Sequence, residues 1–311
     1  MTEISTPSSA RSRDTAVPVS DHGPSSTADA ASHHHHLRTK LVSAHRVVIK
    51  VGTNVVMRDD GQIALARLYA IAESIATLRQ AGRDVVLVTS GAIGLGAHRL
   101  ALPHRPHSLA LKQACAAVGQ GRLMALYADA FDRLGVVSAQ ILLTEDDFAV
   151  PERYHNLRAT LDTLLDIGAV PIVNENDTVS TLELERTDTS ASRVPIFGDN
   201  DKLSALIATK LRAGLLVLLS DVDGLCTADP SRTTDAVVVP VVREVTPTLL
   251  ASVAGAGDRG RGGMTTKLNA ASLAMEAGIA VVIANGRSLG IIDRICAGDA
   301  LGTFFVPGEV T

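Results

Sequence analysis

Short runs of β-branched and aliphatic residues, about five to eight positions long, recur along the chain and alternate with longer stretches whose apolar positions return every three or four residues. That alternation is the sequence sign of parallel strands joined by crossover helices. It predicts strands over Val47 to Val51, Asp84 to Val88, Val136 to Leu142, Val170 to Val173, Leu215 to Leu219 and Ile279 to Ala284. Between the first two, Leu65, Leu68, Ile71, Ala72, Ile75 and Leu78 share one helical face, and Gly82 follows where a helix terminus favours glycine. Leu157 to Ile167 and Lys267 to Ala277 read the same way, ending at Gly168 and Gly278. The pattern predicts a doubly wound α/β fold. Val237 to Val242, with Pro240 inside it, suits either an edge strand or part of a small hairpin.

This periodicity starts only near Arg46. Residues 1–40 are rich in Ser, Thr, Ala and Asp, include the run His33 to His36, and are expected to form a disordered arm ahead of one domain over residues 41–311. The arm lacks the basic-then-apolar arrangement of a signal peptide, and no apolar run approaches the roughly 20 residues a membrane span needs. The three cysteines, Cys115, Cys226 and Cys296, are far apart and form no metal or disulfide pattern. A cytoplasmic protein with reduced thiols is therefore expected. A formal net charge of −4 gives no global basic field and no reason to expect a nucleic-acid partner. The aromatic content of 3% and absence of Trp leave an aliphatic core, which suits strands buried between helix layers.

In an open parallel sheet, ligands sit at the carboxyl ends of the strands, so the loops after each strand carry the chemical signal. These loops are Lys50-Val51-Gly52-Thr53-Asn54, Thr89-Ser90-Gly91-Ala92, Asn174-Glu175-Asn176-Asp177 and Ser220-Asp221-Val222-Asp223-Gly224. Gly260-Arg261-Gly262-Gly263-Met264-Thr265-Thr266-Lys267 comes directly before a predicted helix. Glycines let backbone N–H groups approach phosphate oxygens, and a helix N-terminus adds partial positive charge. Neither a Walker sequence nor a dinucleotide fingerprint is present. Lys50 and Lys267 are candidates for neutralising a phosphoryl group in transfer, together with a Mg²⁺ ion. A carboxylate acceptor is already ionised at neutral pH and needs no general base. His98, His104 and His107, in a predicted loop with Pro103 and Pro106, are read as exposed and without chemistry. Gly198-Asp199-Asn200-Asp201-Lys202 fits a helix cap, but the favoured reading is a pair of carboxylates that orders lysines, binds an ammonium group or accepts from metal-bound water. Asp223-Gly224 is open between a tight turn and a nucleotide contact.

In their order and spacing these segments, with Gln140-Ile141-Leu142-Leu143-Thr144 and Thr227-Ala228-Asp229-Pro230, resemble the amino acid kinase family from Lys50 to about Phe305, and within it the members that act on glutamate. The resemblance implies a three-layer αβα sandwich with a mostly parallel sheet. It also implies ATP and Mg²⁺ beside L-glutamate, and γ-glutamyl phosphate as the product, formed for proline synthesis. The choice of glutamate comes from the resemblance alone. By position, it implies that Lys50 and Lys267 flank the transferred group and that Asp199 organises the lysines. It assigns glutamate to Ser90, Asp177 and Asn200. It assigns the nucleotide to Lys50, Ser220, Asp221, Arg261, Gly262, Gly263, Met264, Thr265, Thr266 and Lys267.

The same resemblance implies a homo-oligomer, feedback inhibition by proline and a functional link to glutamyl phosphate reductase. Three departures stand out. The segment from Glu185 to Phe197 is longer than is usual before Gly-Asp-Asn-Asp, and Arg261 replaces a common threonine. Many members also carry a C-terminal PUA domain, which a chain ending at Thr311 is expected to lack. Two other readings remain: a different carboxylate or nucleotide kinase of the family, and a non-catalytic amino-acid sensor or scaffold.

Overall fold

The Val, Ile and Leu runs form a sheet of eight strands in the order β3-β4-β2-β1-β5-β7-β8-β6. The computed structural model describes residues 38–39, 41–104, 106–179, 199–230, 233, 235–253 and 263–308. The strands are β1 (Arg46–Val51), β2 (Asp84–Thr89), β3 (Ser138–Leu143), β4 (Val170–Glu175), β5 (Leu215–Ser220), β6 (Val241–Val242), β7 (Ala280–Asn285) and β8 (Thr303–Phe305). All neighbours run parallel except β7 and β8. The helices are α1 (Thr53–Val56), α2 (Leu65–Gln80), α3 (Ala92–Arg99), α4 (Leu109–Arg133), α5 (Asp146–Ala149), α6 (Pro151–Asp166), α7 (Asn200–Lys210), α8 (Pro247–Val253), α9 (Met264–Glu276) and α10 (Ile291–Cys296).

Two apolar cores lie on opposite faces of the sheet, which makes the three-layer αβα sandwich. Val47, Ile49 and Val51 of β1 pack into one core with side chains of α2, α4 and α10. Val48 packs into the other with Leu203 and Ile207 of α7 and Leu268 and Ala271 of α9. Because successive strand residues point to opposite faces, Lys50 shares the face of Val48 and therefore faces α7 and α9. Strand parity thus sets the first catalytic candidate against the two helices that carry the others.

Six expected strands are present with ends shifted by one or two residues. The seventh segment, around Pro240, does both things that the sequence allowed. Val238 bridges Cys226 in antiparallel fashion, and Val241–Val242 pairs with β8. Pro240 has no N–H to donate, but its carbonyl accepts from Phe304 N. Three features differ from expectation. The predicted helix from Leu157 begins at Pro151, where proline suits a first helical position. His98 sits in the last turn of α3 rather than in a loop; it is exposed, as are His104 and His107. Arg38, placed by the sequence in the arm, is buried at 1% exposure. The remainder of the arm, residues 1–37 and Lys40, and the segment 185–197 lie outside the described residues.

Candidate active site

Asp201 occupies the second position of α7 with a fully buried side chain, and both of its oxygens face lysines. Lys50 Nζ lies 2.7 Å from Oδ1, and Lys267 Nζ lies 3.2 Å from Oδ2. Thr266 Oγ1 also donates to Oδ2, at 2.8 Å. Lys50 comes from the penultimate residue of β1 and Lys267 from the first turn of α9, so a strand and two helix N-termini meet at one carboxylate. A Cβ on Gly52 would stand tightly against Leu219 O, at 3.2 Å, and in ordinary contact with Lys50 Nζ, at 3.6 Å.

Burial opposes charge on Asp201, but Lys50 and Lys267 outweigh it and hold the carboxyl below its ordinary range. Lys267 is pushed down, first by burial and further by Lys50, with Asp201 acting against the shift. Asp199 also lies within Coulombic reach of both lysines, so two lysines and two aspartates share this shielded place, and burial disfavours charge on Lys267 until an anion joins it.

The arrangement corrects one expectation. The residue between the lysines is Asp201, two positions beyond the expected Asp199. Asp199 is the N-cap of α7, and its Oδ1 accepts from Asp201 N at 2.8 Å and Lys202 N at 2.9 Å. Burial, then Asp201, raise its carboxyl above the ordinary value. Capping turns the Asp199 side chain back onto the helix start, and the first turn then carries Asp201 between the lysines.

Beside this cluster, Asn200 Nδ2 donates to Ser90 Oγ at 2.8 Å, to Thr89 O at 3.0 Å and to Asn174 Oδ1 at 3.0 Å. Two expected substrate residues, Ser90 and Asn200, are therefore joined. Ser90 precedes Gly91, whose φ of 110° lets β2 turn directly into α3. Asp177 lies half-buried in the turn after β4. Thr89 Oγ1 meets the phenol of Tyr127 at 3.1 Å, and burial pushes that phenol up to about 12.

At the end of β5, Asp221 accepts from Asn54 Nδ2 at 2.9 Å and from Ser220 Oγ at 3.3 Å. Burial raises the Asp221 carboxyl, but the Asn54 bond and lesser contributions bring it below its ordinary value. Asp223 accepts from Asn285 Nδ2 at 2.8 Å. A Cβ on Gly224 would stand 2.6 Å from Thr303 Oγ1 and 3.0 Å from Thr303 N, so close packing against β8 is sufficient to explain that glycine. Gly263 caps α9 without a side chain, and Met264, Thr265, Thr266 and Lys267 form its first turn. Arg261 and Gly262 lie outside the described residues. Sequence reading placed Asn54, Thr89 and Asn174 in the loops that carry the chemistry without giving them individual contacts, and it missed Gln120, an amide at a buried helix position.

Residues 45–285 match the model of the amino acid kinase family. The chain is 46% identical over 273 residues to glutamate 5-kinase of Moorella thermoacetica, covering 88% of this chain and 69% of that protein. It is 43% identical over 270 residues to glutamate 5-kinase of Listeria monocytogenes, covering 86% of this chain and 95% of the other. Among solved structures, the fold matches UMP kinase from Bacillus anthracis with a TM-score of 0.55 at 16% identity, over 85% of this chain and 96% of that one. Carbamate kinase from Giardia lamblia matches with a TM-score of 0.56 at 17% identity, over 85% and 99%. With a family model over most of the described sheet, and relatives far above the identity at which only a fold is shared, the chain belongs to the amino acid kinase family, in its glutamate 5-kinase branch.

Proposed function

We propose that this protein transfers the terminal phosphoryl group of ATP to the side-chain carboxylate of L-glutamate, giving γ-glutamyl phosphate, the first step of proline biosynthesis. The observation that carries the reading is the Asp201 carboxylate held between Lys50 and Lys267, next to the Asn200–Ser90 pair. In phosphoryl transfer the protein supplies position and charge rather than covalent chemistry. Lys50 and Lys267 neutralise charge on the transferred group, and Asp201 holds both ammonium groups in place. The N-terminus of α9 presents amide N–H groups to phosphate oxygens.

The acceptor carboxylate attacks without a base. Ser90, Asn200 and Asp177 hold the amino acid, with Asp177 suited to its ammonium group. Ser220, Asp221 and the segment from Arg261 to Lys267 contact the nucleotide. Mg²⁺ would enter with the nucleotide as MgATP and supply positive charge to its phosphates.

Turnover with ATP and Mg²⁺ against glutamate, aspartate, N-acetylglutamate and UMP, with the acyl phosphate trapped as its hydroxamate, tests this reading. Glutamate-dependent hydroxamate is expected. Turnover with none of the four, alongside a glutamate-induced rise in melting temperature, would make the chain a sensor instead.

The reading also carries inhibition by proline, assembly into a homo-oligomer and use of the product by glutamyl phosphate reductase. Activity unchanged in millimolar proline, or a monomer by light scattering, would remove the first or the second. A cytoplasmic location accords with the reading, and no helix among the described residues is long and apolar enough to cross a membrane.

A further inference from the structure

A chain of three side-chain amides runs from the amino-acid site into helix α4. Asn200 Nδ2 meets Asn174 Oδ1 at 3.0 Å, and Asn174 Nδ2 donates to Gln120 Oε1 at 2.8 Å. Backbone groups identify which end of each amide is the oxygen and which the amino group. The Thr89 carbonyl can only accept, so the Asn200 group 3.0 Å from it is the amino group. The Glu175 N–H can only donate, so the Asn174 group 2.9 Å from it is the oxygen. The Asn174 amino group is thereby turned to Gln120, whose oxygen must receive it.

This leaves one open group at each end of the chain. Asn200 Oδ1 and Gln120 Nε2 are buried and have no hydrogen-bond partner among the described residues. Buried polar groups are nearly always satisfied, so an unpartnered buried acceptor beside the site is available to a donor from a ligand. Gln120 is only 8% exposed and is held close by its neighbour Gly119, where a Cβ would stand 1.9 Å from Ala92 O of α3.

We propose that Gln120 is a positioning residue for the amino-acid site: acting through Asn174, it holds the Asn200 amide with Oδ1 turned to accept from the α-ammonium group of the substrate. The inference rests on the glutamate reading above. An acceptor at that place suits an ammonium group and repels a carboxylate. The hydrogen bond of Gln120 goes to Asn174, whereas Lys50 and Lys267 are held by Asp201, so its loss leaves phosphoryl-group stabilisation in place and acts on recognition of the amino acid.

The experiment is Gln120→Met, with KM measured for glutamate and ATP and kcat/KM compared between glutamate and glutarate, which lacks the amine. A rise of about tenfold in glutamate KM is expected, the equivalent of about one hydrogen bond. ATP KM stays unchanged, and the preference for glutamate over glutarate falls by a similar factor. An unchanged glutamate KM overturns the proposal. An equal rise for both substrates, or for glutamate and glutarate alike, also overturns it by showing general loosening.

Should the methionine variant not fold, Gln120→Glu keeps an acceptor for Asn174 in the same volume. Its glutamate KM is expected within about threefold of the original, and a tenfold rise sinks the idea. If the unaltered chain forms no glutamate-dependent hydroxamate, the functional reading itself falls; if it does and Gln120→Met matches it, only the positioning role falls.

Discussion

At Asp201 two lysines share one buried carboxylate while burial disfavours charge on Lys267, and this separates the effects of mutating each member. Removing Asp201 as Asn leaves two unpaired charges in a shielded place, so we expect a loss of about 3 kcal/mol in a denaturant titration. Lys267→Met instead removes a charge that burial disfavours and keeps the Lys50–Asp201 pair. Its turnover should fall by at least about a hundredfold while stability rises by about 1 kcal/mol, the usual trade at a strained site. A methionine variant that is both inactive and less stable would contradict the charge argument. The depressed Lys267 adds a pH signature. Above its folded value and below its ordinary 10.5, the unfolded chain keeps a proton that the folded chain has lost, so this group raises stability as pH increases. Over the same window kcat/KM falls, because the neutral amine no longer neutralises phosphate. The wild-type minus Lys267→Met stability difference, followed by melting against pH, should therefore shift towards the wild type on the alkaline side. At this scale the sequence was half legible. Both lysines and the Asp-Asn-Asp segment stood out, but which aspartate caps and which pairs depends on helix phase, and the two aspartates lie only two positions apart.

Helices α3 and α4 form the wall behind Ser90 and Asn200, and two glycines set how closely they approach. A Cβ on Gly96 would stand 1.8 Å from Cys115 O, and one on Gly119 would stand 1.9 Å from Ala92 O. Backbone cannot yield as a side-chain tip can, so Gly119→Ala must push the helices apart. A destabilisation of about 2–3 kcal/mol is expected, with a raised glutamate KM because Gln120 moves with it. Gly121, two residues on and exposed, would place a Cβ in open space. Gly121→Ala should therefore stabilise by about 0.5–1 kcal/mol through helix propensity. Opposite signs at two glycines of one helix, measured by denaturant midpoint, check the packing. The same residues explain why the 25-residue α4 escaped sequence reading while the shorter α2 did not. Interior glycines dilute the apolar stripe, and their reason lies in a tertiary contact that periodicity does not encode. Strand β8 escaped because three residues, Thr303, Phe304 and Phe305, are too few to show alternation.

Across the whole molecule, the parallel order and the edge that carries the chemistry followed from strand spacing and the loops after β1, β2, β4 and β5. The N-terminal limit did not, because a lone arginine ahead of the periodic region gives no apolar signal. Arg38 nonetheless ties the start of the domain to its end. Nη1 donates to Asp299 O at 3.0 Å and Leu301 O at 2.8 Å, and Nη2 to Pro240 O and Gly302 O, each at 3.3 Å. The guanidinium carbon also lies 5.5 Å from the centre of the Phe304 ring. Burial lowers its pKa to about 10, which still leaves it charged at neutral pH. A single planar cation thus satisfies carbonyls that precede β6 and β8, where the sheet changes from parallel to antiparallel pairing. Arg38→Met keeps much of the apolar volume but leaves these carbonyls short of donors. A loss of about 3 kcal/mol is expected, read as a lower denaturant midpoint. None of these contacts involves the lysine cluster or the Asn200 amide, so KM for glutamate and ATP should be unchanged in the fraction that remains folded. A raised glutamate KM with unaltered stability would show instead that Arg38 acts on the site rather than on closure of the sheet.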